Sequence, residues 1–138
     1  EDKAQALSLV KQLEEDPLVP GADNARQWLT TFIVSAPDLF IPTCPELLGP
    51  LNGQGRNGAS EIVGQLYFGN AAWAILNPEK ASDRDAMFVG GLESAVRLYE
   101  SILKQHSRWR WPLLDDLRSR VKKGSLGEYV RENIGKCQ

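Results

Sequence analysis

Between Ala59 and Leu76 the chain places apolar or small residues on most faces of a helix, with Ile62, Val63, Leu66, Tyr67, Phe68, Ala71, Ala72, Trp73 and Ile75 leaving no wide polar side. A surface helix keeps one polar face, so a helix of this composition needs neighbours all round. The segment predicts a central, buried helix. The rest of the chain must supply the elements that cover it.

Those elements are also helical by pattern. Ala6, Leu9, Val10 and Leu13 recur at helical spacing in residues 4–15, and Pro17 and Pro20-Gly21 end that first helix. Asp23 stands where it would cap a second, whose stripe of Ala25, Trp28, Leu29, Phe32, Ile33 and Ala36 is buried by its spacing. Trp28 and Trp73 are expected in the core. Pro37 stops the second helix, and a Pro/Gly-rich connection runs to Gly58 with a short helical turn around Glu46 to Leu48.

Asn77-Pro78 ends the central helix, and Ser82 with Asp85 resembles a capping box for a long fourth helix through Val89, Leu92, Val96, Tyr99 and Leu103. Its exposed side has Glu93–Arg97 and Glu100–Lys104 at pairing distance in sequence. Gly64, Gly69, Gly90 and Gly91 lie inside the third and fourth helices, each costing up to about 1 kcal/mol relative to alanine. Close backbone approach of the two helices would account for them. Pro112 opens a fifth helix with Leu113, Leu114, Leu117 and Val121, stopped by Gly124, and Ser125 with Glu128 suggests a box for a short sixth. Leu39-Phe40-Ile41 is too short for a strand and is closed by Pro42. The expected fold is all-α: an irregular bundle of five to six helices with a long Pro/Gly-rich loop between helices two and three.

With 138 residues, 42% of them hydrophobic, residues 1–138 read as one domain with its own core. A net charge of -2 argues against a general nucleic-acid binder, and no apolar run approaches the roughly 18 residues of a membrane span. The chain begins at Glu1 without an initiator methionine, which suggests a leader removed by the cell or by cloning. Removal by the cell would make the protein secreted or periplasmic, with Cys44 and Cys137 joined as a disulfide; removal by cloning would leave a cytoplasmic protein with two thiols. The expected pairing fastens the long loop to the C-terminus.

Few residues carry recognisable chemistry. His106 is the only histidine, so multi-histidine metal sites are excluded, and neither metal nor cofactor is expected. Gly53-Gln54-Gly55-Arg56-Asn57-Gly58 matches G-x-G-x-x-G, but its approach from Pro45 to Pro50 cannot be the buried strand a dinucleotide site requires. Ser60 lies in Gly58-Ala59-Ser60-Glu61-Ile62, which fails the G-x-S-x-G elbow at its last position. Glu61 and Glu93, set among apolar residues of the two central helices, are the candidates for a carboxylate site. The best binding candidate is Arg108-Trp109-Arg110-Trp111, where cations alternate with aromatics, together with Arg118 and Lys122 four residues apart on the next helix; the other reading of the segment has one or both tryptophans plugging the end of the bundle with cation–π contacts inside the protein.

Phe68-Gly69-Asn70-Ala71-Ala72-Trp73 and the later run Leu92 to Leu103 resemble the two helices of one tetratricopeptide repeat, with Gly69, Ala95 and Tyr99 in matching positions. The likeness covers residues 68–103, with extra residues between Leu76 and Leu92 and Ser107 where the repeat has proline. It implies peptide or protein binding in a helical groove, normally with stacked neighbouring repeats. Together these features point to a small secreted or periplasmic binding or accessory protein with a protein or anionic partner. The alternative is an enzyme with a carboxylate site between helices three and four.

Overall fold

The computed structural model describes residues 1–137, and all regular structure among them is helical. There are six α-helices: α1 (Asp2–Glu15), α2 (Ala22–Ser35), α3 (Ala59–Leu76), α4 (Arg84–Gln105), α5 (Pro112–Lys123) and α6 (Leu126–Asn133). Three short 3-10 segments, Pro45–Leu51, Pro78–Lys80 and Ile134–Lys136, add turns beyond the expected five or six helices.

The helix ends follow local chemistry that the sequence shows only approximately. The fourth helix is capped by Asp83, whose side chain accepts from the Ala86 N–H at 3.1 Å, rather than by Ser82. Gly21, at φ 93°, starts α2, so Asp23 falls in the first turn, paired with Arg26 at 2.8 Å. Ser125 precedes α6 but makes no side-chain cap. Gly124, at φ 71°, ends α5, where a left-handed residue lets the chain reverse.

Two clusters of buried side chains lie on either side of α3. One gathers Leu47, Leu48 and Leu51 of the 3-10 segment, Ile62 and Leu66 of α3, much of α4, and Leu114, Leu117, Leu126 and Val130 of α5 and α6. The other joins Val10 and Leu13 of α1 and Leu29 and Ile33 of α2 to Phe68 and Ala71 of α3. Burial on opposite sides is why α3 lacks a polar face.

The tightest packing is between α3 and α4. Gly58 faces Ile102, Gln65 faces Ser94, Gly69 faces Gly91 and Trp73 faces Gly90, so the two helices run antiparallel. A Cβ on Gly69 would come within 2.6 Å of the Ser94 Cβ and 2.9 Å of the Gly91 Cα. The glycines there permit backbone approach that no larger residue allows.

Trp73, resting on Gly90, and Trp28, stacked on Phe32 with centroids 5.4 Å apart, are both only half-buried. They cover the edges of the clusters instead of filling them, contrary to the expectation from their stripes. The fully enclosed aromatics are Tyr99 and Phe88, followed by Phe68 and Trp111, each at 4% exposure.

Cys44 and Cys137 form a disulfide with Cα atoms 5.2 Å apart. Cys44 is inaccessible and belongs to the larger cluster, so the bond ties the C-terminal turn to the core rather than to a loose loop. Beside it the Tyr129 hydroxyl donates to the Leu47 carbonyl at 2.7 Å. The connection between α2 and α3 is thereby anchored at its 3-10 segment, whose three leucines are all inaccessible.

Candidate functional site

Helix α1 lies along α3 and α4, held by a chain of polar contacts. The Gln65 amide nitrogen, fully buried, donates to the Val10 carbonyl at 3.2 Å and to the Ser94 hydroxyl at 3.0 Å. Ser94 donates to Glu14 at 2.5 Å, and the Arg97 guanidinium grips both Glu14 oxygens at 2.9 and 3.0 Å. Ser101 donates to the Glu14 backbone carbonyl at 2.6 Å. The hydrogen bonds to Glu14 hold the Arg97 pKa above its usual value against the opposing effect of burial. Val10 lies by Gln65 and Ser94 while Glu14 reaches Ser101, so α1 runs in the same direction as α4.

Along this junction opens a groove of about 1050 Å³, exposed along its length. Leu7 and Val10 of α1, Ala72 and Leu76 of α3 and Leu103 of α4 supply its apolar surface. Lys11, Arg97, Lys104, Arg110 and Arg118 line it with positive charge, and Glu14, Glu15 and Glu100 with negative. Three of the cations are paired: Arg97 with Glu14, Arg110 with Asp115 at 3.0 Å, and Arg118 with Glu100 at 3.2 Å. Lys11 and Lys104, both exposed, have no ion pair or hydrogen bond among the described residues. The pairs expected along α4, Glu93–Arg97 and Glu100–Lys104, are not made, because α1 and α5 offer Arg97 and Glu100 better-placed partners.

The Arg108 to Trp111 segment divides between core and surface. The Trp111 backbone N–H donates to the Tyr99 hydroxyl at 3.0 Å, and that hydroxyl donates to Asp115 at 2.8 Å. The indole N–H donates to the Asn57 carbonyl at 3.0 Å, and Arg56 lies over the ring 4.5 Å from its centroid. Trp111 is therefore a core side chain that no partner can reach in the folded protein, a correction to its place among the binding residues. The cation on it comes from Arg56, not from its neighbours in sequence. Trp109 stacks on His106 at 3.8 Å between centroids and is half-buried. Arg110 and Arg118 line the groove, whereas Arg108 and Lys122 are exposed outside its lining.

Glu61 and Glu93 do not share a site. Glu61, in the first turn of α3, accepts from Ser60 at 3.2 Å and lines a small recess with Asp23 and Arg26. Glu93 lies near the middle of α4, about a turn from the level of Glu61, since its neighbour Ser94 faces Gln65, and no hydrogen bond joins the two acids among the described residues. Among the described residues no cluster of three or more His, Cys, Asp or Glu side chains is arranged to hold a metal ion. Among the described residues no helix is long and apolar enough to cross a membrane. The Gly53 to Gly58 loop has left-handed Gly53, Asn57 and Gly58, follows a 3-10 segment rather than a strand, and is pinned by Trp111 on Asn57.

Lys11, Glu14 and Lys104 were not distinguishable as site residues in the sequence, because each reads as an ordinary solvated position. The available signal was indirect: Gln65 and Ser94 are polar residues inside apolar stripes, which points to a partner brought in from elsewhere. No known protein family, curated protein or solved structure matches the chain. Gly69, one of the residues behind the resemblance of 68–103 to a tetratricopeptide repeat, serves the close antiparallel packing of α3 and α4.

Proposed function

We propose that this chain is a secreted or periplasmic accessory protein that acts by binding an anionic, partly apolar segment of a protein partner in the groove between α1, α4 and α5. The observation that carries the reading is that Lys11 and Lys104, beside the strip of Leu7, Val10, Leu76 and Leu103, make no ion pair or hydrogen bond among the described residues. Apolar surface supplies affinity, and unpaired cations at its rim select the sign of the partner's charge and speed encounter. The Cys44–Cys137 disulfide is compatible with an oxidising compartment, which supports the extracytoplasmic assignment.

The test is a titration of isotope-labelled protein with a leucine- and glutamate-rich peptide and with the same peptide carrying lysine for glutamate. The acidic peptide should shift resonances of Leu7, Lys11, Leu103 and Lys104, and binding should weaken as salt is raised. The double variant Lys11→Glu, Lys104→Glu should reverse the preference between the two peptides. Equal binding of both peptides, or shifts confined to another face, would overturn the proposal.

A further inference from the structure

Resting on that reading, we infer that the groove is built for an amphipathic helix carrying two carboxylates about two turns apart, with no acid between them. The first argument is length. The groove runs beside α4 from the level of Gly90, which faces Trp73 near Leu76, to Lys104. At 1.5 Å per residue that is about 20 Å, the length of a helix of roughly 14 residues. An acyl chain or small aromatic ligand would stay largely in water in so open a trough, whereas a helix buries one face and keeps the other solvated.

The second argument is the placement of charge. Glu14 packs against Arg97 and Ser101, and α1 and α4 run in the same direction. Lys11 precedes Glu14 by three residues of α1, and Lys104 follows Ser101 by three residues of α4, so the two lysines are offset by about six residues, roughly 9 Å, along the groove. Carboxylates at positions i and i+7 of a bound helix, about 10.5 Å apart along its axis, are the pair on one face nearest to that offset. Glu15, exposed on the same rim at a level between the two lysines, repels an acid placed midway. The apolar end, at Leu7, Val10, Ala72 and Leu76, takes the leucine-type side chains one to two turns beyond the first carboxylate. Attraction at two points and repulsion between them together fix register.

The experiment uses the intact, oxidised protein and fluorescently labelled 16-residue leucine-rich peptides with paired glutamates four, seven or eleven residues apart. A fourth peptide has the seven-residue pair and proline in its centre, and anisotropy reads the affinities. The seven-residue peptide should bind about tenfold tighter than the other spacings, and proline should abolish the advantage. Lys11→Glu and Lys104→Glu should each remove most of the preference for spacing. Neither lysine makes an ion pair or hydrogen bond among the described residues, so circular dichroism should show the wild-type helix content, and Lys11→Gln with Lys104→Gln, which set no new acid beside Glu15, Glu100 or the end of α4, should lose the same spacing preference at an unchanged melting temperature. If every acidic peptide binds the groove alike, proline included, the helix inference fails while the anionic-groove reading stands. If none binds, both fail.

Discussion

Alanine at Gly91 and at Gly64 should act in opposite directions, although both are glycines inside the paired central helices. Relative to alanine, glycine in a helix interior forfeits about 0.5–1 kcal/mol through backbone entropy. At Gly64 a Cβ would meet only the Phe68 ring, at 3.8 Å, which is ordinary contact. Gly64→Ala is therefore expected to stabilise by about 0.5–1 kcal/mol. At Gly91 the same methyl would overlap the Asn70 side-chain oxygen and come within 2.7 Å of the Leu66 carbonyl oxygen. Backbone cannot swing away, and Asn70 is fully buried with its amide donating to the Pro42 carbonyl at 3.3 Å. Overpacking of this kind costs about 1–3 kcal/mol, and disturbing the Asn70 bond about 1 more, against a propensity gain below 1. The net expectation for Gly91→Ala is a loss of about 1–3 kcal/mol, near 3–10 °C for a chain of this size. Urea unfolding followed by circular dichroism measures both variants, with an unchanged slope showing that only stability moved. If Gly91→Ala is as stable as the parent, or if the two variants shift together, the close approach of α3 and α4 is not what the glycines serve.

Trp111→Ala should cost about 3–5 kcal/mol, because it opens a cavity and strands the Asn57 carbonyl, whereas Trp28→Ala and Trp73→Ala should each cost visibly less, being half-buried; thermal unfolding of the three variants checks the order. Replacing Cys44 and Cys137 by alanine opens a loop with a sequence separation of 93 residues, for which chain entropy gives about 4–5 kcal/mol; denaturant melts with and without reductant should show the same loss in the parent and none in the variant. Tyr67, Tyr99 and Tyr129 all have pKa values raised above 10.0, in each case chiefly by burial. The folded state holds these protons more tightly than the unfolded chain, so their contribution to stability is complete below pH 10 and is lost as pH rises through the folded values. Absorbance titration should show phenolate forming later in native than in denatured protein; matching curves would contradict the burial.

The helical class, the central place of α3 and the approximate limits of the helices were legible in the sequence, because each rests on local information: apolar spacing, proline stops and glycine termini. The same information misplaced details that depend on which of two adjacent residues wins, as when Asp83 rather than Ser82 caps α4. It also put Trp28 and Trp73 inside and Trp111 on a binding surface. Periodicity tells which way a residue faces along its own helix, but not how deeply the neighbouring elements cover it. Trp111 is enclosed because Tyr99 and Asn57, 12 and 54 residues away in the chain, satisfy its polar atoms. The groove lay still further from view. Lys11 and Lys104 come to line one groove only once Gln65, Ser94, Arg97 and Ser101 bind α1 to the central pair, through contacts spanning up to 87 residues. Which charges remain unpaired there is decided by where α1 and α5 deliver Glu14 and Arg118, because Coulomb pairing depends on distance through space and not along the chain.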